Sequence, residues 1–428
     1  MLSKEQNELL CRVGPGTLMG TLFRRYWLPI MHSWELEPDG APVRIRVLGE
    51  DLVAFRDSDG RPGLIGERCP HRLAPMVIGR NEECGLRCLY HGWKFDVDGN
   101  CTDMPNEPES SGFRLKIHIA AYKLREQGEV IWCYMGDPER EPGFPIYNWT
   151  KVPASHRIAA KWIQEANWMQ SLEGGIDTSH ASFLHRRFDI PPSTLGGVGN
   201  ALMWQDKAPR LELQETNYGF RYAAIRNASE TEDYIRITPH IMPCSSNPPG
   251  IILGARLWNG WVPRDDYSCW AWDISIREDR PWTPAEIEDI KERRGHNSFD
   301  PKTFQKEANA ENLWLQNREE MKTISWTGMR GIFIEDNAVQ EGMGAIVDRS
   351  QEHLGRADQA IIDARQLYLR AAENLVKYGV EPPGVNSPEV YEHITSYAFI
   401  KPKDKTWREV VPLDPIFSPE GQLLRARL

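Results

Sequence analysis

The chain has 428 residues, a formal net charge of −10, 40% hydrophobic residues and eight cysteines. That length allows two or three domains, each with its own core, and the negative balance without a dense Lys/Arg stripe excludes a nucleic-acid footprint. No apolar run of about eighteen residues occurs and the opening MLSKEQNELLCRVG lacks the apolar stretch of a signal peptide, so the sequence predicts a soluble, cytoplasmic protein with no membrane partner.

From Val43 to about Tyr134 the pattern is one of short strands: VRIRVLG, DLVAFRD and GLIGE, then WKFDVDGN and EVIWCYMG. Asp59-Gly60 and Asp98-Gly99 fall between strand-like segments, as hairpin turns require. The DVDGN segment has its glycine in the wrong place for an EF-hand and reads as a turn. The expectation is a small antiparallel β domain.

Two loops interrupt it. Cys69-Pro70-His71 and Cys88-Leu89-Tyr90-His91 offer two thiolates and two imidazoles, in the order Cys, His, Cys, His. Zinc also takes mixed quartets, but its usual spacing pairs Cys with Cys and His with His. One sulfur and one nitrogen from each loop is the ligand set of a Rieske [2Fe-2S] centre, with cysteines on one iron and histidines on the other. Pro70 and Gly92 let each loop turn sharply and expose backbone N–H groups to the sulfurs, which would tune the potential. The stretch Arg68 to Asp96, RCPHRLAPMVIGRNEECGLRCLYHGWKFD, resembles the Rieske domain of ring-hydroxylating non-haem iron oxygenases. Respiratory-chain Rieske proteins have an extra cysteine in each loop, which this chain lacks. Cys84, outside both loops, reads as a buried or free thiol, and cysteines without disulfide-framework spacing suit a reducing compartment.

Pro138, Pro142, Pro145 and Pro153 mark a connector. A helical stretch is expected to begin near Lys161 and to contain Asn167, Glu173, Asp177, His180 and His185, in NWMQSLEGGIDTSHASFLH. Asp177 and His180 would share a helix face, whereas His180 and His185 would diverge by roughly 140° at 3.6 residues per turn. Both reach one ion only if the helix is widened or ends there. Strands follow from about Leu211 to Ile276, then an exposed, capped helix in TPAEIEDIKERRG. Near the end, ADQAIIDARQLYLRAAENLVKYG has the spacing of an amphipathic helix closed by Gly379.

A Rieske domain followed by D-x2-H-x4-H resembles the catalytic half of the same oxygenase family. The resemblance implies a mononuclear Fe(II) held by His180, His185 and a downstream aspartate, with positions left open for O2. Asp336, in GIFIEDNAVQEGMGAIVDRS, fits that role best, after a strand-like run and before a helix; Asp348 and Asp363 fit less well. In the family, the residue matching Asp177 bridges an iron histidine to a Rieske histidine of a neighbouring subunit, here His180 to His91 of the partner subunit. The roles of Glu173 and Asn167 stay open.

The implied fold class is α+β: an antiparallel β Rieske domain with its N-terminal segment over 1–152, then an α+β helix-grip catalytic domain over 153–428. The openings QNELLCRVGPGTLMG and LGEDLVAFRD, with EDNAVQEGMGAIVDRSQEHLG, resemble the phthalate 4,5-dioxygenase branch, whose members cis-dihydroxylate aromatic acids or demethylate methoxylated ones such as 5,5'-dehydrodivanillate. Paired arginines would suit a dicarboxylate. The expected pocket wall YIRITPHIMPCSSNPPG turns apolar and small after Arg236, with no arginine before Arg256, which favours O-demethylation of a methoxylated or biaryl acid over phthalate dihydroxylation. With no G-x-G-x-x-G opening a βαβ unit and no plant-type cysteine set, the flavin or nicotinamide chemistry falls to an NADH-dependent reductase or a ferredoxin. The family implies a homotrimer or hexamer. The rival from another class is a Rieske electron-transfer protein without oxygenase activity.

Overall fold

The computed structural model describes residues 2–190, 195–250 and 255–411. The chain divides into two compact units, one formed by Val13–Pro142 with Val262–Asp265, the other by Met1–Arg12, Gly143–Trp261 and Asp266–Leu428.

The smaller unit is built from three antiparallel sheets. Trp27–His32, Val130–Tyr134 and Lys123–Gln127 form one; Val43–Val47, Glu50–Arg56 and Pro62–Gly66 the second; Arg80–Glu82, Gly85–Arg87, Lys94–Phe95 and Cys101–Asp103 the third. The two Asp-Gly turns lie where the sequence places them, between Glu50–Arg56 and Pro62–Gly66 and between Lys94–Phe95 and Cys101–Asp103, with Gly60 and Gly99 at positive φ. Alternate residues of these strands point inward: Val53, Phe55, Ile65, Leu86 and Phe95 close around Met76 and Trp93, with Cys69 and Cys88 at the edge of the same core. Hydrophobic packing and ligand placement are therefore one problem in this unit.

The larger unit is organised on an eight-stranded antiparallel sheet. Its path runs Arg157–Gln164, Cys269–Arg277, Ala255–Pro263, Ser245–Ser246, Glu232–Ile241, Gly219–Asn227, Arg210–Thr216, and Tyr397–Pro402 also pairs with Glu232–Ile241. The strands Gly219–Asn227 and Cys269–Arg277 are buried along almost their whole length, as a sheet covered on both faces requires. The long helix Gln359–Tyr378 ends on Gly379 at φ 68, and the exposed helix Pro284–Arg294 carries a full capping box from Thr283 and Glu286. The N-terminal helix Lys4–Cys11 belongs to this unit, where Asn7 donates to the Val347 carbonyl. Among the described residues no helix is long and apolar enough to cross a membrane.

Two local expectations are corrected. The segment expected to begin a helix near Lys161 is the strand Arg157–Gln164, paired residue by residue with Cys269–Arg277, and the helix begins only at Trp168. Ala159 and Ala160 favour helix locally, but a ready-made strand edge outweighs a propensity of a few tenths of a kcal/mol. Conversely GIFIED is not strand-like: Ile332–Gly342 is a helix that starts after Gly331 at φ 98. Its apolar run reads as a strand only because the helix is buried on several sides.

Candidate metal centres

The two Cys/His loops share one backbone design. In the first, Cys69 N–H donates to the Ala74 carbonyl and Leu73 N–H returns to the Cys69 carbonyl; in the second, Cys88 N–H donates to Trp93 and Gly92 N–H returns to Cys88. The fourth residue after each cysteine sits in the left-handed region, Leu73 at φ 59 and Gly92 at φ 78. The sharp turn of the first loop is therefore made at Leu73 rather than Pro70. Gly92 is doubly constrained, since a Cβ there would lie 2.7 Å from Pro105 Cγ.

These turns bring the two histidines together and set Cys69 beside Cys88. Cys69 and Cys88 are buried, and the rings of His71 and His91 lie with centroids 4.3 Å apart, edge to face. Trp93 stacks on His71 at 4.4 Å and 12°, fixed by its own Nε1–H bond to Asn106, while Tyr90 covers His91 at 3.9 Å. His71 Nδ1 is buried without a hydrogen-bond partner among the described residues. Burial pushes the Cys69 thiol up to about 11, and the neighbouring Cys88 adds to the rise. A buried ring nitrogen without a hydrogen-bond partner among the described residues and two crowded sulfurs form a donor set that fits a [2Fe-2S] cluster. Cys84 is free and half-buried, outside the site.

The second centre starts from a helix that stops. Asn167 caps Trp168–Ile176 through Met169 N–H and also ties the Cys11 and Asp266 carbonyls. Glu173 is locked between Arg349 and Arg365, at 3.0 and 2.6 Å. The helix ends at Asp177, whose Oδ1 accepts from Ser179 N–H at 2.7 Å and turns the chain into a short 3-10 segment at His180–Ser182. Once the helix has ended, the five-residue interval no longer separates the rings: His180 Nε2 and His185 Nε2 are 3.1 Å apart. Asp336 Oδ1 lies 3.6 Å from the first and 3.2 Å from the second. One ligand atom from each member of this trio lies within 4.8 Å of the others, the convergence that a metal ion would need.

Each ring is oriented from behind. His180 Nδ1 is 3.4 Å from Asp177 Oδ2, and His185 Nδ1 is 2.7 Å from Glu335 Oε2, with Thr327 Oγ1 donating to the other Glu335 oxygen. Carboxylates at Nδ1 leave the Nε2 lone pairs pointing inward. Asp336 Oδ1 is buried with no hydrogen-bond partner among the described residues. Burial opposes charge on His185, yet Asp336 and Glu335 outweigh it and push the ring up to about 10. Burial likewise opposes the Asp336 carboxylate, but His185 and His180 hold it below its usual range. The trio draws positive charge to its centre, which fits a mononuclear metal with two nitrogen ligands and one carboxylate. Glu335 was not legible as functional in the sequence; its only signal is its place beside Asp336.

The trio opens on a cavity of about 780 Å³. The expected wall is present as Arg236, Thr238, Pro248, Pro249 and Gly250, but Arg187, Arg293, Arg294 and Arg330 also line the cavity. Those four are paired, with Asp189, Asp289, Asp273 and Glu320 respectively. Arg236 differs: it donates to the Pro249 carbonyl and has no carboxylate partner among the described residues.

Comparison with known proteins follows the same division. Residues 26–123 match the family described as Rieske [2Fe-2S] domain, and residues 133–415 the one described as LigXa C-terminal domain like. The chain is 39% identical over 426 residues to the phthalate 4,5-dioxygenase oxygenase subunit of Pseudomonas putida, covering 96% of this chain and 94% of that one. It is 31% identical to the 5,5'-dehydrodivanillate O-demethylase oxygenase subunit of a Sphingobium strain, over 90% of this chain and 84% of the relative. Among solved structures, the NdmA QL mutant of Pseudomonas putida CBB5 with theobromine has a TM-score of 0.60 at 18% identity, covering 94% of this chain and 100% of that one, a likeness of fold.

Proposed function

The chain belongs to the Rieske oxygenases as a terminal oxygenase component, carrying a [2Fe-2S] cluster and a mononuclear iron, and on that premise we propose that it oxidises an aromatic acid, by O-demethylation of a methoxylated or biaryl acid of the 5,5'-dehydrodivanillate type. The observation that carries the reading is Arg236, a cation on the wall of an iron-side cavity that lacks a carboxylate of its own. A substrate carboxylate completes it.

When bound, the iron supplies O2 activation and the cluster feeds it single electrons. Cys69, Cys88, His71 and His91 would hold the cluster, and His180, His185 and Asp336, which line the cavity, would hold the iron. Glu335 and Asp177 keep both imidazoles in the tautomer that presents Nε2. Arg236 fixes the acid end, so the substituent to be oxidised is set by the distance between guanidinium and trio. Phe333, Leu257, Trp261 and Ile290 give the ring an apolar berth and keep water from it. Hydroxylation of a methyl carbon yields a hemiacetal that collapses to a phenol and formaldehyde.

Electrons come from an NADH-dependent reductase or a ferredoxin. Leu73, Leu89 and Tyr90 are 65%, 55% and 55% exposed around the ligand loops, an apolar rim of the kind partners cover. We assign it to a second copy in a homotrimer or hexamer, where Asp177 links His180 to His91 of the partner subunit.

Incubation of the enzyme with reductase, NADH and a methoxylated aromatic acid should release formaldehyde. A dihydrodiol without formaldehyde would replace this reading by the second one, cis-dihydroxylation of a phthalate-like acid, which the 39% relative supports by its own activity. A fully loaded preparation with two irons per chain instead of three would leave only the electron-transfer reading.

A further inference from the structure

One wall of the cavity is made of amides. On the helix Ile332–Gly342 the residues Phe333, Asp336, Asn337 and Gln340 recur at three- and four-residue intervals, so they share the face that lines the cavity. Asn337 is 1% exposed, and its Nδ2 is buried with no hydrogen-bond partner among the described residues. An unmet buried donor is destabilising, and a bound acceptor would relieve it. One turn further on, Gln340 uses Oε1 to accept from Gln164 Nε2 at 2.5 Å. Its own Nε2 meets no acceptor among the described residues, and lies where a Cβ on Gly174 would come within 2.0 Å of it. The glycine at 174 is thus what lets this amide reach the cavity wall.

The charge around these amides narrows what they can receive. Asp177, Glu335 and Asp336 line the same cavity, and their three charges still exceed that of a divalent ion bound to the trio by one, so a second substrate carboxylate would meet like charge there. A neutral oxygen would not. We infer that Asn337 and Gln340 select the ring substituent: the substrate is an aromatic acid with a neutral oxygen substituent, a hydroxyl or methoxyl, whose oxygen accepts from these amides while Arg236 holds the carboxylate. This rests on the aromatic-acid reading of the cavity. It deepens that reading by naming a second anchor of different chemistry from the first.

The test is equilibrium binding to the oxidised, iron-loaded enzyme without reductant, followed by quenching of tryptophan fluorescence, since Trp261 lines the cavity. The probes are benzoate, phthalate, meta-hydroxybenzoate and meta-methoxybenzoate. The oxygenated monoacids should bind roughly tenfold more tightly than benzoate and phthalate, the value of one good hydrogen bond. Asn337→Ala and Gln340→Ala should each reduce that advantage while leaving benzoate affinity within about twofold. Equal binding of benzoate and meta-methoxybenzoate by the parent enzyme, or an advantage that survives both substitutions, overturns the inference and leaves the aromatic-acid reading intact. Binding of none of the four acids overturns both. If a variant loses iron or fails to fold, the ranking of the four acids on the parent enzyme decides the matter by itself.

Discussion

Replacing Glu335 by Gln isolates the contribution of charge behind the iron site. The carboxylate meets His185 Nδ1 at 2.7 Å and is 4% exposed, so it acts on the ring with little screening from water. Gln keeps the shape and an acceptor oxygen but removes the negative charge that makes the ring a stronger donor through Nε2. Losing a carboxylate behind a metal-bound histidine typically lowers metal affinity or activity by roughly ten- to a hundredfold. The expected result is a tenfold or larger rise in the dissociation constant for mononuclear iron, measured by competition with a chelator. The visible spectrum of the [2Fe-2S] cluster should be unchanged, because the side-chain hydrogen bonds of Glu335 go to His185 and Thr327 and to none of the cluster's ligands. Thr327→Val, which removes the donor to the other Glu335 oxygen, should move affinity the same way by less. If Glu335→Gln binds iron within twofold of the parent, the orienting role is wrong and Glu335 is merely a buried carboxylate with two donors.

Other substitutions test the remaining links. Co-expression of Cys69→Ser with Asp336→Ala should restore turnover that neither variant has alone, because mixed oligomers would pair an intact cluster with an intact iron site on another chain; no recovery in verified mixed oligomers refutes the inter-subunit electron path. Arg236→Met should raise the dissociation constant of an aromatic acid roughly ten- to a hundredfold, the weight of a charge-assisted hydrogen bond, and leave a neutral methyl-ester analogue unaffected. Asp273 is a stability probe: burial opposes its charge, but Arg294 and His296 outweigh it and hold the carboxyl near 2, against an ordinary 3.8. A depressed carboxyl stabilises the fold above its unfolded value and loses that contribution as pH falls through its folded value. Asp273 therefore contributes about 2 kcal/mol at neutral pH, fading between about pH 4 and 2, and Asp273→Asn should flatten the acid limb of a denaturation profile over that window. Gly92→Ala should cost about 1–2 kcal/mol at its left-handed backbone and push into Pro105, seen as a cluster that bleaches faster on mild heating.

Much of the site was legible because its chemistry is local. Cys69, His71, Cys88 and His91 fall within two short loops, and the ligand set can be read from order and spacing alone. The repeating backbone bonds that shape both loops involve residues at most five positions apart, so the same segments that carry the ligands also carry their geometry. Hairpin turns at Asp59-Gly60 and Asp98-Gly99, and the capped helix at Pro284–Arg294, are local in the same sense. His180 and His185 were legible as a pair, and the requirement that the helix end near them is met by the Asp177 turn.

What the sequence by itself determined, then, is the identity of the ligands and the turns and caps that hold them. Only the tertiary structure decided which long-range partners serve them. Arg157–Gln164 is a strand because Cys269–Arg277 offers it an edge more than a hundred positions away. Glu335 becomes the partner of His185 because two separately folded segments meet across 150 positions. The four paired arginines of the cavity, which a reading of one wall segment could not see, come from Arg187 and from the chain beyond Asp289, and they have carboxylate partners where Arg236, among the described residues, has only the Pro249 carbonyl. The physical reason is the same in each case: a strand edge, a buried carboxylate or an unpaired charge is a property of what lies opposite, and only the folded chain decides what lies opposite.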